Sequence, residues 1–102
     1  MNSQLASFNV DVNHEGYLTD FSQWSREVAE EIAATENIVL TPRHWEVIGW
    51  LQQQVQAGKE LSIRVVKKSG VVDIKEFYAL FPGGPLKVST KIAGVPKPKS
   101  CI

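Results

Sequence analysis

The chain has 102 residues, with eleven Lys+Arg against eleven Asp+Glu and 43% hydrophobic residues. That allows one domain and excludes wholesale disorder. The single cysteine excludes an internal disulfide or a CxxC pair, and with only two histidines a Cys-rich zinc site is excluded too. The start MNSQLASF shows no basic or apolar leader region, and no run of about 18 apolar residues occurs, so neither a Sec-type signal nor a membrane span is expected, and the expected location is cytoplasmic.

From the N-terminus, Phe8, Val10 and Val12 alternate with Asn9, Asp11 and Asn13, the period of a half-buried strand. His14-Glu15-Gly16 supplies a turn and Tyr17-Leu18 a short return, which together predict a small hairpin. A first helix is predicted from about Ser22 to Thr35, with Trp24, Val28 and Ile32 on one face and Asn37 as its stop. Thr41-Pro42 opens a second helix, which carries Trp45, Ile48, Leu51 and Val55 on one side and ends at Gly58. Its breadth of apolar positions predicts the central, most buried helix. A third runs from Leu61 to Lys68, closed by Gly70. A fourth is specified by Asp73 as N-cap, Glu76 in a capping box and a Val72–Phe77 staple. Pro82-Gly83-Gly84 breaks the chain, and Pro85 opens a last short helix that Leu86, Val88 and Ile92 can dock and Gly94 closes.

Beyond Gly94 the chain changes character. Val95-Pro96-Lys97-Pro98-Lys99-Ser100-Cys101-Ile102 contains two prolines, which favour an extended path; at about 3.1 Å per residue its eight residues reach roughly 25 Å. The expectation is a body over 1–93 and a mobile arm over 94–102. Charge follows the same division. Residues 1–58 hold two cations against eight acids, a net −6, while residues 59–102 hold nine cations against three acids, a net +6. Such asymmetry orients a molecule toward an anionic partner.

Few residues can carry chemistry. No nucleophile–histidine–acid arrangement and no phosphate-binding glycine motif occurs, and no cofactor or metal site is expected. His14 and His44 are expected at the surface or an interface rather than as metal ligands, and Trp24, Trp45 and Trp50 in the core. The helices flanking Gly70 have helix-turn-helix spacing with Arg64, Lys67, Lys68 and Lys75 nearby, but Phe77, Tyr78 and Phe81 suit packing better than base reading, so direct DNA binding is disfavoured. Cys101 stands out. A structural cysteine is normally buried, and a penultimate one beyond two prolines is poorly placed for that. A thiol on an arm can carry a group into another protein's active site. Lys97 and Lys99 favour its thiolate, and the terminal carboxylate of Ile102 opposes it.

The ending Lys91-Ile-Ala-Gly-Val-Pro-Lys-Pro-Lys-Ser-Cys-Ile102 resembles the C-terminal arm of the TusE/DsrC family. Glu15-Gly16-Tyr17-Leu18, Trp24-Ser25, Leu40 to Val47 and Leu80 to Pro85 are similar to family blocks in the same order. The resemblance implies an α+β fold, with a small N-terminal hairpin or meander packed on about five helices and an extended mobile arm. It implies that Cys101 accepts sulfane sulfur as a persulfide and passes it on, a sulfurtransferase of carrier type. Thr90 stands where family members of the sulfite reductase pathway have a second cysteine, which favours a TusE-like, single-cysteine carrier. The implied partners are a TusBCD-type donor complex and an MnmA-type tRNA thiouridylase; the alternative is a single-cysteine DsrC-like carrier or regulator in dissimilatory or oxidative sulfur metabolism, with DsrE-type, rhodanese-type or sulfite reductase partners and, through the helix-turn-helix-like segment, DNA as a further one. Lys91, Lys97 and Lys99 are candidates for docking the arm in an acidic partner cleft.

Overall fold

The structure, a computed structural model, describes residues 3–4 and 11–97. Two short strands, β1 (Ser3–Gln4) and β2 (Asp11–Val12), pair antiparallel with Ser3 opposite Val12. The predicted strand over Phe8–Val12 is described only at Asp11–Val12, since Phe8 and Val10 lie outside the described residues. The predicted return at Tyr17-Leu18 amounts to a single bridge between Val12 and Leu18, short of a hairpin. The turn between them is nevertheless well defined. Asn13 Oδ1 accepts from the backbone N–H of Glu15 and of Tyr17, and Gly16 N–H donates to Asn13 O.

Five helices follow: α1 (Arg26–Thr35), α2 (Pro42–Gln56), α3 (Ile63–Ser69), α4 (Ile74–Leu80) and α5 (Pro85–Ala93). Their ends obey local chemistry. Ser25, Ser62 and Asp73 each accept a hydrogen bond from a backbone N–H three residues on. The first helix starts later than its apolar stripe predicts. Asp20 caps a short 3-10 turn over Phe21–Gln23, Trp24 is extended, and the α-helix begins only after Ser25. At its other end Asn37 adopts φ 60° while Ile38 N–H reaches Ala33 O and Asn37 N–H reaches Ala34 O. That is a Schellman stop, with Ile38 buried as its apolar contact.

The predicted central helix is not the most buried one. Four of the fifteen residues of α2 are buried, against seven of the nine in α5, which packs on both α1 and α2. Burial of Ser89 and Thr90 in the middle of α5 carries no desolvation penalty from unmade bonds. Their hydroxyls donate to the carbonyl of Leu86 one turn back, at 3.3 and 2.7 Å. Around α5 the core gathers Val28, Ala29 and Ile32 of α1, Val47, Ile48 and Leu51 of α2, Val66 of α3 and Phe77 of α4. Trp24, Trp45 and Trp50 are half-buried at its margin. Trp45 carries the Arg26 guanidinium 4.3 Å above its ring.

Candidate functional site at the root of the C-terminal arm

Cys101 and Lys99 lie outside the described residues, so the site is built from the segment that delivers them. α5 ends in a second Schellman stop. Gly94 takes φ 75°, Gly94 N–H donates to Lys91 O, and Val95 N–H donates to Thr90 O. Glycine is demanded there twice over, by the left-handed backbone and because a Cβ would run into the ring of Trp24. Val95 is buried at 2% exposure, so the chain stays tied to the core for one residue beyond the helix stop.

Side chains from distant elements satisfy the remaining carbonyls at this helix end. Trp24 Nε1 donates to Ile92 O at 2.9 Å, and Gln52 Nε2 donates to Ala93 O at 2.9 Å. On the opposite side, the Tyr17 hydroxyl donates to Lys87 O at 3.1 Å and stands 3.4 Å from Thr90 Oγ1. Thr90 is wholly buried beneath that contact.

The two described lysines of the segment both meet acids of the N-terminal half. Lys91 Nζ pairs with Glu36 at 3.4 Å, and its aliphatic stem lies against Gly16. Lys97 Nζ pairs with Glu15 at 2.7 Å. The Lys97 hydrogen bond holds the Glu15 carboxyl below the usual carboxylate range, against a weaker upward push from burial. Phe21, Val55, Gln56, Val95 and Pro96 line an apolar groove of about 230 Å³ beside the same root. The sequence reading assigned roles to Lys91 and Lys97 but none to Glu15, Glu36, Tyr17 or Gln52. Glu15 and Tyr17 stand out locally only as turn and return-strand residues of a family block, and no local signal pairs them with the C-terminal segment, since Glu15 meets Lys97 across 82 residues and Gln52 meets Ala93 across 41.

His44, expected at the surface, is buried. Leu80 O lies 2.8 Å from Nε2 and can only accept, so Nε2 carries the proton and Nδ1 accepts from Thr41 N–H at 3.1 Å. The ring also meets Phe81 edge-on. His44 thus ties the start of α2 to the end of α4. Arg43 beside it makes a two-pronged contact to Glu76 and donates to Val71 O. These bonds draw the helix-turn-helix-like pair α3–α4 into the body: Glu76 is held by Arg43 and Phe77 is in the core, while Arg64, Lys67, Lys68 and Lys75 remain outward. The box foreseen at Asp73 is half formed, because Asp73 caps Glu76 N–H but the Glu76 side chain turns to Arg43.

Among the described residues, no helix is long and apolar enough to cross a membrane, and no three His, Cys, Asp or Glu side chains are grouped to hold a metal ion.

A five-helix body that clamps the root of a terminal segment bearing the chain's one cysteine defines the class of molecule. The family model for DsrC-like proteins matches residues 4–102, and the chain belongs to that family. It is 40% identical over 101 residues to the sulfurtransferase TusE of Escherichia coli strain K12, covering 91% of this chain and 93% of that protein. The solution structure of Allochromatium vinosum DsrC superposes with a TM-score of 0.84 at 30% identity, over 99% of this chain and 97% of that one. The oxidised gamma-subunit of dissimilatory sulfite reductase from Archaeoglobus fulgidus superposes with a TM-score of 0.78 at 30% identity, over the full length of both chains.

Proposed function

We propose that the protein is a sulfur carrier in which Cys101 is the sole sulfur-bearing residue. The observation that carries the reading is the 40% identity to a sulfurtransferase TusE, together with a family match that runs through Cys101. In the forward step the Cys101 thiolate attacks the terminal sulfur of a donor persulfide. A new S–S bond forms at Cys101, the donor's S–S bond breaks, and the donor leaves as a thiolate. The donor is a TusD-type persulfide of a TusBCD-type complex. The acceptor is an MnmA-type tRNA thiouridylase, which takes the outer sulfur from Cys101.

Thr90 supports the single-cysteine reading. With one cysteine in the chain, an intramolecular disulfide or trisulfide cannot form, so each turnover has to end in transfer to a second protein. Lys91, Lys97 and Lys99 dock the arm in an acidic cleft of that partner, the first two exchanging Glu36 and Glu15 for partner carboxylates. Activation of the thiol comes mainly from the partner's site. The likeness to DsrC structures favours a second reading, in which the same thiol serves DsrE-type, rhodanese-type or sulfite reductase partners.

Intact mass after mixing with a persulfidated TusD-type protein tests the proposal. The expected result is a gain of one sulfur atom, removed by reductant and absent from Cys101→Ser. A sulfur-loaded Cys101→Ser protein would refute it. No loading of the wild type by that donor, but loading by a rhodanese-type donor, would move the protein to the second reading.

A further inference from the structure

We infer that the groove between α2 and α3 binds a single-stranded RNA segment, with one base on Trp50 and the neighbouring phosphates on Lys59, Arg64, Lys67 and Lys68. The inference goes beyond the carrier reading and uses no part of the arm. It starts from where the positive charge is left unneutralised. Arg43, Lys91 and Lys97 each meet a carboxylate, and Arg26 lies over the Trp45 ring. Lys59, Arg64, Lys67 and Lys68 are exposed and form no ion pair among the described residues. Arg64 precedes Lys67 and Lys68 by one turn, so the three share a side of α3.

Lys68 and Lys59 also line a shallow groove of about 360 Å³, together with Trp50, Gln54, Val65 and Ser69. Trp50 and Val65 supply apolar surface for a base, Gln54 and Ser69 polar groups, and the lysines charge for phosphate. Three other occupants fit less well. A free nucleotide would fill the groove but leave Arg64 and Lys67, which lie outside it, without an anion. A protein interface is depleted in lysine and built on apolar anchors. None of the exposed large apolar side chains, Phe21, Val39 and Tyr78, lies on α3 or in the groove. Duplex DNA keeps its bases stacked on one another, whereas the loops of folded RNA present splayed bases that an indole can stack on.

The test titrates the full-length chain into a fluorescein-labelled tRNA anticodon stem-loop and follows anisotropy. Four phosphate contacts should give a log–log salt slope of about −3, an affinity loss of about fiftyfold between roughly 50 and 200 mM salt. Arg64→Gln with Lys68→Gln should halve that slope. Lys87→Gln, which removes an exposed cation of α5, should leave it unchanged. Trp50→Leu keeps an apolar side chain at the core margin. It should weaken binding at least about fivefold and preserve the slope, because lost stacking releases no counterions. No saturable binding at low salt, or equal losses from Lys87→Gln and the α3 pair, would overturn the inference. So would ATP or a DNA duplex binding as tightly as the stem-loop. Sulfur loading of Cys101 should be the same in wild type and the α3 pair; a loss in the pair would make the face a protein-docking surface instead. A wild type that binds the RNA as described but takes up no sulfur would refute the carrier reading and leave this inference standing.

Discussion

Replacing Gly94 with alanine probes how tightly the arm's root is built. Two costs add there. A non-glycine residue in the left-handed region costs about 1–2 kcal/mol, and Gly94 has φ 75°. The added Cβ also meets the Trp24 ring, where overpacking costs about 1–3 kcal/mol. If the indole shifts to relieve it, the bond from Trp24 Nε1 to Ile92 O is lost, for about another 1 kcal/mol. The expected total is about 4 kcal/mol, a large share of the roughly 5–15 kcal/mol of a whole domain. Gly58→Ala is the matched control, since Gly58 also sits in a Schellman stop, with φ 77°, but a Cβ there meets nothing within 4 Å. It should cost only the backbone term. Urea unfolding followed by helical circular dichroism gives both values from midpoint and slope. If the two variants lose stability to within about 0.5 kcal/mol of each other, the close approach of Trp24 to the arm's root does not exist in solution and the reasoning fails.

Other perturbations separate the remaining contacts. His44→Ala should destabilise by about 2–3 kcal/mol, because it vacates a buried site and strips Leu80 O and Thr41 N–H of their partner; a loss below about 0.5 kcal/mol would restore the surface reading. Glu76 is held below the ordinary glutamate value, first by its hydrogen bond to Arg43. A carboxyl depressed in the folded state contributes stability above its unfolded value and loses it as pH falls through the folded one. Glu76→Gln should therefore lose less stability than wild type on acidification from about pH 6 to below the carboxylate range. Equal losses in urea-unfolding series would show that the Arg43–Glu76 contact is not formed. Cys101→Ser should leave the unfolding midpoint within error of wild type while abolishing sulfur uptake; a large loss of stability would make the thiol a packing element.

Much of the architecture is written locally. Ser62 with Gly70, Asp73 as N-cap, Thr41-Pro42 and Asn37 each satisfy or stop a helix end within a few residues, so their chemistry can be read one turn at a time. The same locality explains the first helix's misplaced start. Asp20, Ser22 and Ser25 are all capping residues, and what selects Ser25 is Trp24, drawn out of the helix to reach Ile92 O across 68 residues. The single thiol of Cys101 and the terminal block around it are likewise plain in the sequence, and they point to the family without any coordinates. Tertiary structure alone decided which helix is central. The apolar positions of α2 outnumber those of α5, yet α5 is enclosed because its small Ser89, Thr90 and Ala93 let α1 and α2 close on it while its hydroxyls bond within the helix. Packing likewise decided that His44 is buried, that Arg43 holds Glu76, and that Lys97 rests on Glu15. Those partners lie 33 to 82 residues apart, and no periodicity or spacing rule connects residues that only the closed core brings within 3 Å.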